Sequence, residues 1–467
     1  MSDLIETDYL VVGAGAAGMA FTDALLTHSD ATVTIVDRRH APGGHWVDAY
    51  PFVHLHQPSA FYGVDSVPLG DDSLDKSGLN AGFYGLAGAD ELRAYYAQVM
   101  QQHFIASGRV RYFPCCDWQG GAAGQHRIRS RVSGVSHEVR VRRKLVDAGY
   151  VGGEIPATSP PPFEVADGVR CVPAGEVVRV VDHPGRFVVI GAGKTALDTI
   201  VWLLSQGVQA EAIQWVKPRE GWWLNRRYNQ PHAFLPEFYA GAGLQIQAMA
   251  QASSVDEVYT RLEADGFFLR VDPAVMPTMG HGAIVSEAEL ALLRQIRNVV
   301  RLGHVRRIER QRLVLAQGAV PVDADTVYVH CAAAGVGRPQ PRTIFEADRL
   351  TVQPLFWSFA CFPFAILGAV EAMLTSDEEK NRLCPPIRYW DTPADYLSTY
   401  LATLAHGRAR AAYPALNDWA NASRLNPLRD LGLYRDHPQV QQTRDLIKEF
   451  GAAAVGNVMK LLSRQDA

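Results

Sequence analysis

Apolar and polar positions fall into blocks along the chain. Tyr9 to Val12 is a short, continuously apolar run, the pattern of a strand buried on both faces, and Met19 to Leu26 follows as a helix. Thr32 to Val36 repeats the buried-strand pattern and completes a strand–helix–strand unit. Asp90 to Ile105 reads as a helix and Arg109 to Phe113 as the third strand of a parallel sheet. Arg127 to Val132 and Val139 to Val146 alternate apolar with basic residues, which predicts a half-exposed antiparallel ribbon with a solvated arginine face. The proline-rich stretch Ile155 to Phe163 interrupts regular structure and marks a domain crossover. Beyond it the unit recurs, as strand Phe187 to Ile190, helix Leu197 to Ser205 and strand Ala212 to Val216. Two helices, His232 to Ala250 and Val255 to Asp265, read as insertions, and Glu287 to Asn298 is amphipathic. Gly303 to Arg310, Arg312 to Ala316 and Thr326 to His330 read as strands. The apolar run Leu355 to Val370 contains Pro363 and is shorter than the roughly 20 residues of a membrane span, so it predicts a buried strand and helix. A helical tail follows Thr392.

The turns between these blocks carry the chemistry. Gly13-Ala14-Gly15-Ala16-Ala17-Gly18 joins the first strand to its helix. Gly13 permits the tight turn, Gly15 opens bare backbone to a pyrophosphate, Ala17 lies in the same loop, and Gly18 lets the helix pack close on the strand. Asp37 ends the second strand, where a carboxylate can take the hydroxyls of a ribose. Gly191-Ala192-Gly193-Lys194-Thr195-Ala196 repeats the loop with Ala196 as the third small residue. Two such loops, each between a strand and a helix, predict two dinucleotide sites. Where the first fold has Asp37, the second has Lys217-Pro218-Arg219. Lys217 and Arg219 suit a ribose 2′-phosphate, which favours NADPH over NADH; two solvated loop cations are the plainer alternative. Trp222, Trp223, Arg226 and Arg227 stand beside them without an assigned role.

At 467 residues two or three domains are expected, and the fold class is α/β with two Rossmann-like domains. A net charge of −4 gives no pull toward nucleic acid or an anionic membrane, which leaves small-molecule chemistry. MSDLIETDYL lacks a basic region followed by an apolar core, so no secretory signal is expected. The six cysteines show no CxxC or metal-type spacing, which predicts a reduced, cytoplasmic protein without a metal and argues against a dithiol reductase. Cys115 and Cys116 read as two thiols, with a strained vicinal disulfide as the alternative.

Gly43-Gly44-His45-Trp46 follows soon after Asp37. Paired glycines let the chain pass close to a cofactor, and Trp46 either covers a flat ring or packs in the core. Placed here, the segment resembles the GGxW stretch of the flavin-containing monooxygenases, the class B flavoprotein monooxygenases. The resemblance implies FAD in the first site, NADPH in the second, and a discontinuous FAD domain spanning 1–160 and 323–391. The NADPH domain is then 161–322, residues 392–467 form a helical extension, and the turn Cys331 to Gly335 is the return to the FAD fold. In that family the stretch behind GGxW supplies a polar side chain near the reactive flavin atom. Gln57 stands about there, with His54 and His56 beside it. Gln57, and less directly a neutral or protonated His56, are the implied hydrogen-bond donors to a flavin peroxide formed from O₂, which oxygenates a small molecule. Two departures matter. Residues 168–184 do not match the family's FxGxxxHxxxY/F pattern, and no arginine of the kind used in Baeyer–Villiger oxygenation can be placed. Oxygenation at nitrogen or sulfur is therefore expected. The alternatives are an NADPH-dependent flavin oxidoreductase with another acceptor and a non-catalytic nucleotide-binding protein; homodimerisation is left open.

Overall fold

The computed structural model describes residues 4–333, 335–356 and 359–464. Its first sheet has seven strands. Val110–Phe113, Val33–Val36, Ile5–Val12 and Ser136–Asp147 lie side by side in parallel, and Gln125–Ser130 and Cys116–Ala122 extend that edge as an antiparallel meander. The helix Ala16–Thr27 packs against one face of the sheet, and behind it lies Cys361–Met373. Gly368 makes that helix pair close, because a Cβ there would stand 2.2 Å from the Phe21 carbonyl.

One sequence expectation holds in part. Val139 to Val146 belongs to a longer strand, Ser136–Asp147, whose first half is the half-exposed antiparallel ribbon expected and whose second half is buried in the sheet. It pairs antiparallel with Gln125–Ser130 and parallel with Ile5–Val12, and its end takes Arg349–Thr351 as a further parallel neighbour. Arg140 and Arg142 face solvent, paired with Glu6 and Asp8. Lys144 turns inward. It is 6% exposed and meets Asp377 at 2.5 Å, beside Lys380 on Glu371 at 2.6 Å. Tyr9 donates to the same Glu371 at 2.9 Å, so this charge-balanced knot ties the later helices to the sheet.

The second sheet runs Val299–Val300, Ile213–Val216, Arg186–Ile190, Thr326–His330 and Cys171–Pro173, all parallel. Thr326–His330 pairs on both sides with strands of this sheet. Of the return turn, Ala334 lies outside the described residues, as do Trp357 and Ser358 of the later apolar run. Among its described residues that run supplies the helix from Cys361 but no strand; a strand, Arg349–Thr351, lies just before it.

The tail helices Pro393–Arg410, Pro414–Ala422 and Pro438–Ser463 each open on a proline, which costs nothing at a first-turn position. Leu416 and Ala420 join the core of the first fold, while Ala454, Val458 and Leu461 pack with Ile246 and Met249 of the inserted helix Leu235–Gln251. The tail thereby spans both folds.

Candidate active site

The first loop is built on close backbone approaches. A Cβ on Gly18 would stand 2.0 Å from the Gly13 oxygen, and one on Gly44 2.9 Å from Gly15 Cα. Gly43 (φ +121°) donates to the Ala14 carbonyl at 2.8 Å, so the Gly43-Gly44 turn rests directly on the loop. No side chain caps the helix that begins at Ala16, and no carboxylate stands in its first turn, so the N–H end around Ala16 and Ala17 is open to an anion. Asp37 is 6% exposed; its carboxylate accepts from the N–H groups of Ala14 at 2.7 Å and Arg39 at 2.8 Å. Each oxygen keeps a lone pair for a ribose hydroxyl. These features fit a dinucleotide. Trp46 settles into the core, its Nε1 donating to Tyr62 Oη at 2.8 Å.

The second loop repeats the plan. Gly191 (φ +145°) lies where a Cβ would meet the Cys331 carbonyl at 2.9 Å, whereas a Cβ on Gly193 would meet nothing within 4 Å. Gly193 thus faces open space at the uncapped start of the helix Lys194–Ser205. Ala196 is fully buried, so its methyl serves in place of a third glycine. Thr195 lies within reach of the Tyr50 phenol.

Between the loops runs the segment behind Gly43-Gly44. Tyr50 donates to Asp198 at 2.7 Å, and Phe52 stacks on Trp202 at 5.0 Å, so this segment is seated on the second-loop helix. Asp198 also holds Lys194, which reaches Glu289 at 3.3 Å, and Glu289 in turn holds Arg226 at 2.7 Å. Burial opposes charge on Glu289 and Lys194, but their partners outweigh it: Glu289 is held down at about 2 and Lys194 above its ordinary value. Burial, and then the Lys194 and Arg226 charges, push His56 down to about 3, which favours its neutral form. His56 Nδ1 and Arg226 Nε are buried without hydrogen-bond partners. Gln57 is 5% exposed and donates only weakly, at 3.4 Å, to the Phe61 carbonyl. His54 points outward against Gly88, away from its two neighbours.

The two cations assigned to a 2′-phosphate separate. Lys217 is 3% exposed, 2.5 Å from Glu220 and 4.1 Å above the Trp215 ring. Burial, not fully offset by Glu220, lowers its pKa, and its charge is spent inside the protein. It therefore faces Glu220 rather than an open loop surface. Arg219 instead reaches outward to Asp391 at 3.0 Å, joined by His281 at 2.8 Å and Arg338 at 3.9 Å. Burial holds His281 below its ordinary pKa, so two guanidinium groups face one carboxylate. Arg338 Nε has no hydrogen-bond partner, and the cluster keeps a positive surplus. Trp222 and Trp223 are core residues, and Arg227 pairs with Glu237 at the surface.

Sequence reasoning missed Asp198, Glu289, Arg338, Asp391 and Arg424. Two of them carried signals: Lys194 and Asp198 are four apart on a helix, and Ser286-x-x-Glu289 is a capping box that the structure forms. Arg338, Asp391 and Arg424 lie far along the chain and show none. Arg424 donates to the carbonyls of Ala60 at 2.7 Å, Tyr62 at 2.6 Å and Val64 at 2.9 Å, and so fixes the stretch that follows Gln57.

Residues 11–65 match the family model for an NAD(P)-binding Rossmann-like domain. The uncharacterized protein Rv2000 of Mycobacterium tuberculosis is 42% identical over 428 residues, 91% of this chain and 79% of that protein, and Mb2023 of Mycobacterium bovis matches equally. Among solved structures, the polycyclic ketone monooxygenase of Thermothelomyces thermophila superposes with a TM-score of 0.52 at 12% identity, covering 94% of this chain and 89% of that one. The ε-caprolactone-bound cyclohexanone monooxygenase gives 0.51 at 14% identity, covering 97% and 99%. At such identity these likenesses establish the fold.

Proposed function

We propose a function on one premise: the chain belongs to one family with the mycobacterial proteins Rv2000 and Mb2023, and its fold is that of the class B flavoprotein monooxygenases. It is an NADPH-dependent FAD monooxygenase of a small organic molecule. The observation that carries this reading is the seat of Tyr50 and Phe52 on the helix Lys194–Ser205, which brings the segment bearing His56 and Gln57 from the first nucleotide loop to the second. FAD, when bound, accepts a hydride from NADPH and passes two electrons to O₂. Gly15, Gly44, Asp37 and the start of the helix at Ala16 hold the FAD phosphates and ribose. Gly193 and the start of the helix at Lys194 hold the NADPH pyrophosphate, with Arg219 and Arg338 on its 2′-phosphate. Gln57 and a neutral His56 each offer one N–H to oxygen, and the apolar side chains Phe61 and Phe359 keep water out.

One oxygen atom enters the substrate and the other leaves as water. We assign the oxygenation to nitrogen or sulfur. That assignment follows from the sequence, in which no arginine of the kind used in Baeyer–Villiger oxygenation can be placed. The six cysteines are free thiols, which suits a reducing cytoplasm; among the described residues no helix is long and apolar enough to cross a membrane. The test is turnover of the FAD-loaded protein with NADPH and ¹⁸O₂ on a thioether, a tertiary amine and a cyclic ketone. One ¹⁸O atom in a sulfoxide or N-oxide, with about one NADPH consumed per product, is expected. NADPH consumption without labelled product, but with reduction of an added quinone, overturns it in favour of an oxidoreductase; a labelled lactone alone overturns the nitrogen or sulfur assignment.

A further inference from the structure

Apart from both nucleotide loops, a cavity of about 130 Å³ lies where three distant parts of the chain meet: the stretch 60–72, the start of the inserted helix at 231–235, and the tail at 424–430. Its apolar wall includes Phe61, Leu69 and Leu235. An apolar cavity of roughly 150 Å³ holds one benzene molecule, which sets the size of what fits. The wall is preformed, because Arg424 binds the carbonyls of Ala60, Tyr62 and Val64 and its own N–H meets Asp65 at 3.0 Å. A cavity held by such hydrogen bonds does not collapse when empty.

Each charged group around the cavity has a near neighbour. Arg424 is spent on carbonyls, Arg429 pairs with Asp430 at 3.5 Å, and His232 faces Asp72 at 3.3 Å. The charges lining the cavity, Asp72 and Asp430 against Arg424 and Arg429, balance in sign, so a neutral ligand is favoured. One polar handle remains. His232 Nε2 is shut off from water yet makes no hydrogen bond, its approach to Asp72 being badly aligned. His232 (φ +54°) and Asp72 (φ +55°) both hold left-handed backbone conformations that side chains avoid, and such strain gathers at ligand sites. The chamber also touches the proposed chemistry. Phe61, in its wall, stacks on Phe359 at 4.4 Å, and the Phe61 carbonyl accepts from Gln57.

We propose that this cavity is a binding chamber for a neutral organic molecule the size of a single six-membered ring, carrying one group that hydrogen-bonds to His232. That this molecule is the one oxygenated rests on the monooxygenase reading; its binding does not. The probe is 4-fluorophenol, followed by ¹⁹F NMR with the FAD-loaded full chain. Saturable broadening is expected, weakened at least tenfold in Ala60→Phe and in Leu235→Trp, which add bulk at two lining positions from distant parts of the chain; circular dichroism melts identify the variants that fold. No saturable binding to the wild type, or equal binding to a folded filled variant, overturns the chamber. In turnover, a KM for the oxygenated substrate raised at least tenfold in Leu235→Trp, with kcat within twofold, supports its role as substrate antechamber, and an unchanged KM overturns that role. A protein that binds the probe and oxygenates nothing keeps the chamber and refutes the monooxygenase reading instead.

Discussion

Replacing Arg219 by glutamine should lower the preference for NADPH over NADH, whereas replacing Lys217 by methionine should not. The contrast follows from where each charge is spent. Arg219 shares Asp391 with Arg338 and His281 and is about a third exposed, its side chain keeping 36% of its surface. A charge-assisted bond from such a group to a phosphate contributes roughly 1.5–3 kcal/mol, and solvent screening at this exposure brings it to about 1–2 kcal/mol. That converts to a preference lowered about 5- to 30-fold. Arg338 is better shielded, at 18%, and adds a similar increment, although neighbours around one carboxylate will not add simply. Lys217 sits under 3% exposure between Glu220 and the Trp215 ring. Its loss leaves Glu220 with Arg301 at 2.7 Å, so the variant folds, and its effect on the coenzyme ratio should stay within about threefold, or ~0.6 kcal/mol. The assay is anaerobic stopped-flow reduction of the bound flavin by NADPH and by NADH, compared as the ratio of rate over dissociation constant. A tenfold fall in that ratio for Lys217→Met with none for Arg219→Gln would refute the placement of the phosphate.

Two further outcomes test the framework around the loops. Gly18→Ala puts a methyl at 2.0 Å from the Gly13 oxygen, an approach real Cβ atoms do not make, so the first loop must open and the purified protein should be colourless; a yellow variant that releases FAD on denaturation would show that FAD is held elsewhere. Glu289→Gln should cost on the order of 3 kcal/mol at pH 7, since the carboxyl is held at about 2 against an ordinary 4.5. Because the folded value is depressed, that stability is fully present above pH 4.5 and is lost as pH falls toward 2, so the denaturation difference between wild type and variant should close across that window. A difference that does not change with pH would remove Glu289 from the charge network.

Both nucleotide loops could be read directly because their chemistry is local. A tight turn, bare backbone and an open helix start are properties of six consecutive residues, and Gly13 to Gly18 and Gly191 to Ala196 carry them in order. Asp37 and the Gly43-Gly44 turn were legible for the same reason. Gln57 and His56 were placed by the family resemblance behind that turn, whereas the burial and the Lys194 and Arg226 charges that lower the His56 pKa arise only through packing. The same holds for Lys217, whose fate rests on Glu220 and Trp215 closing around it. Asp391 lies 172 residues from Arg219, and Arg424 lies 360 from the Val64 carbonyl it holds. What the sequence determined by itself was the sites that consist of backbone and near neighbours. What tertiary structure decided was which charges remain free, because ion pairing and burial depend on distances that sequence separation does not encode.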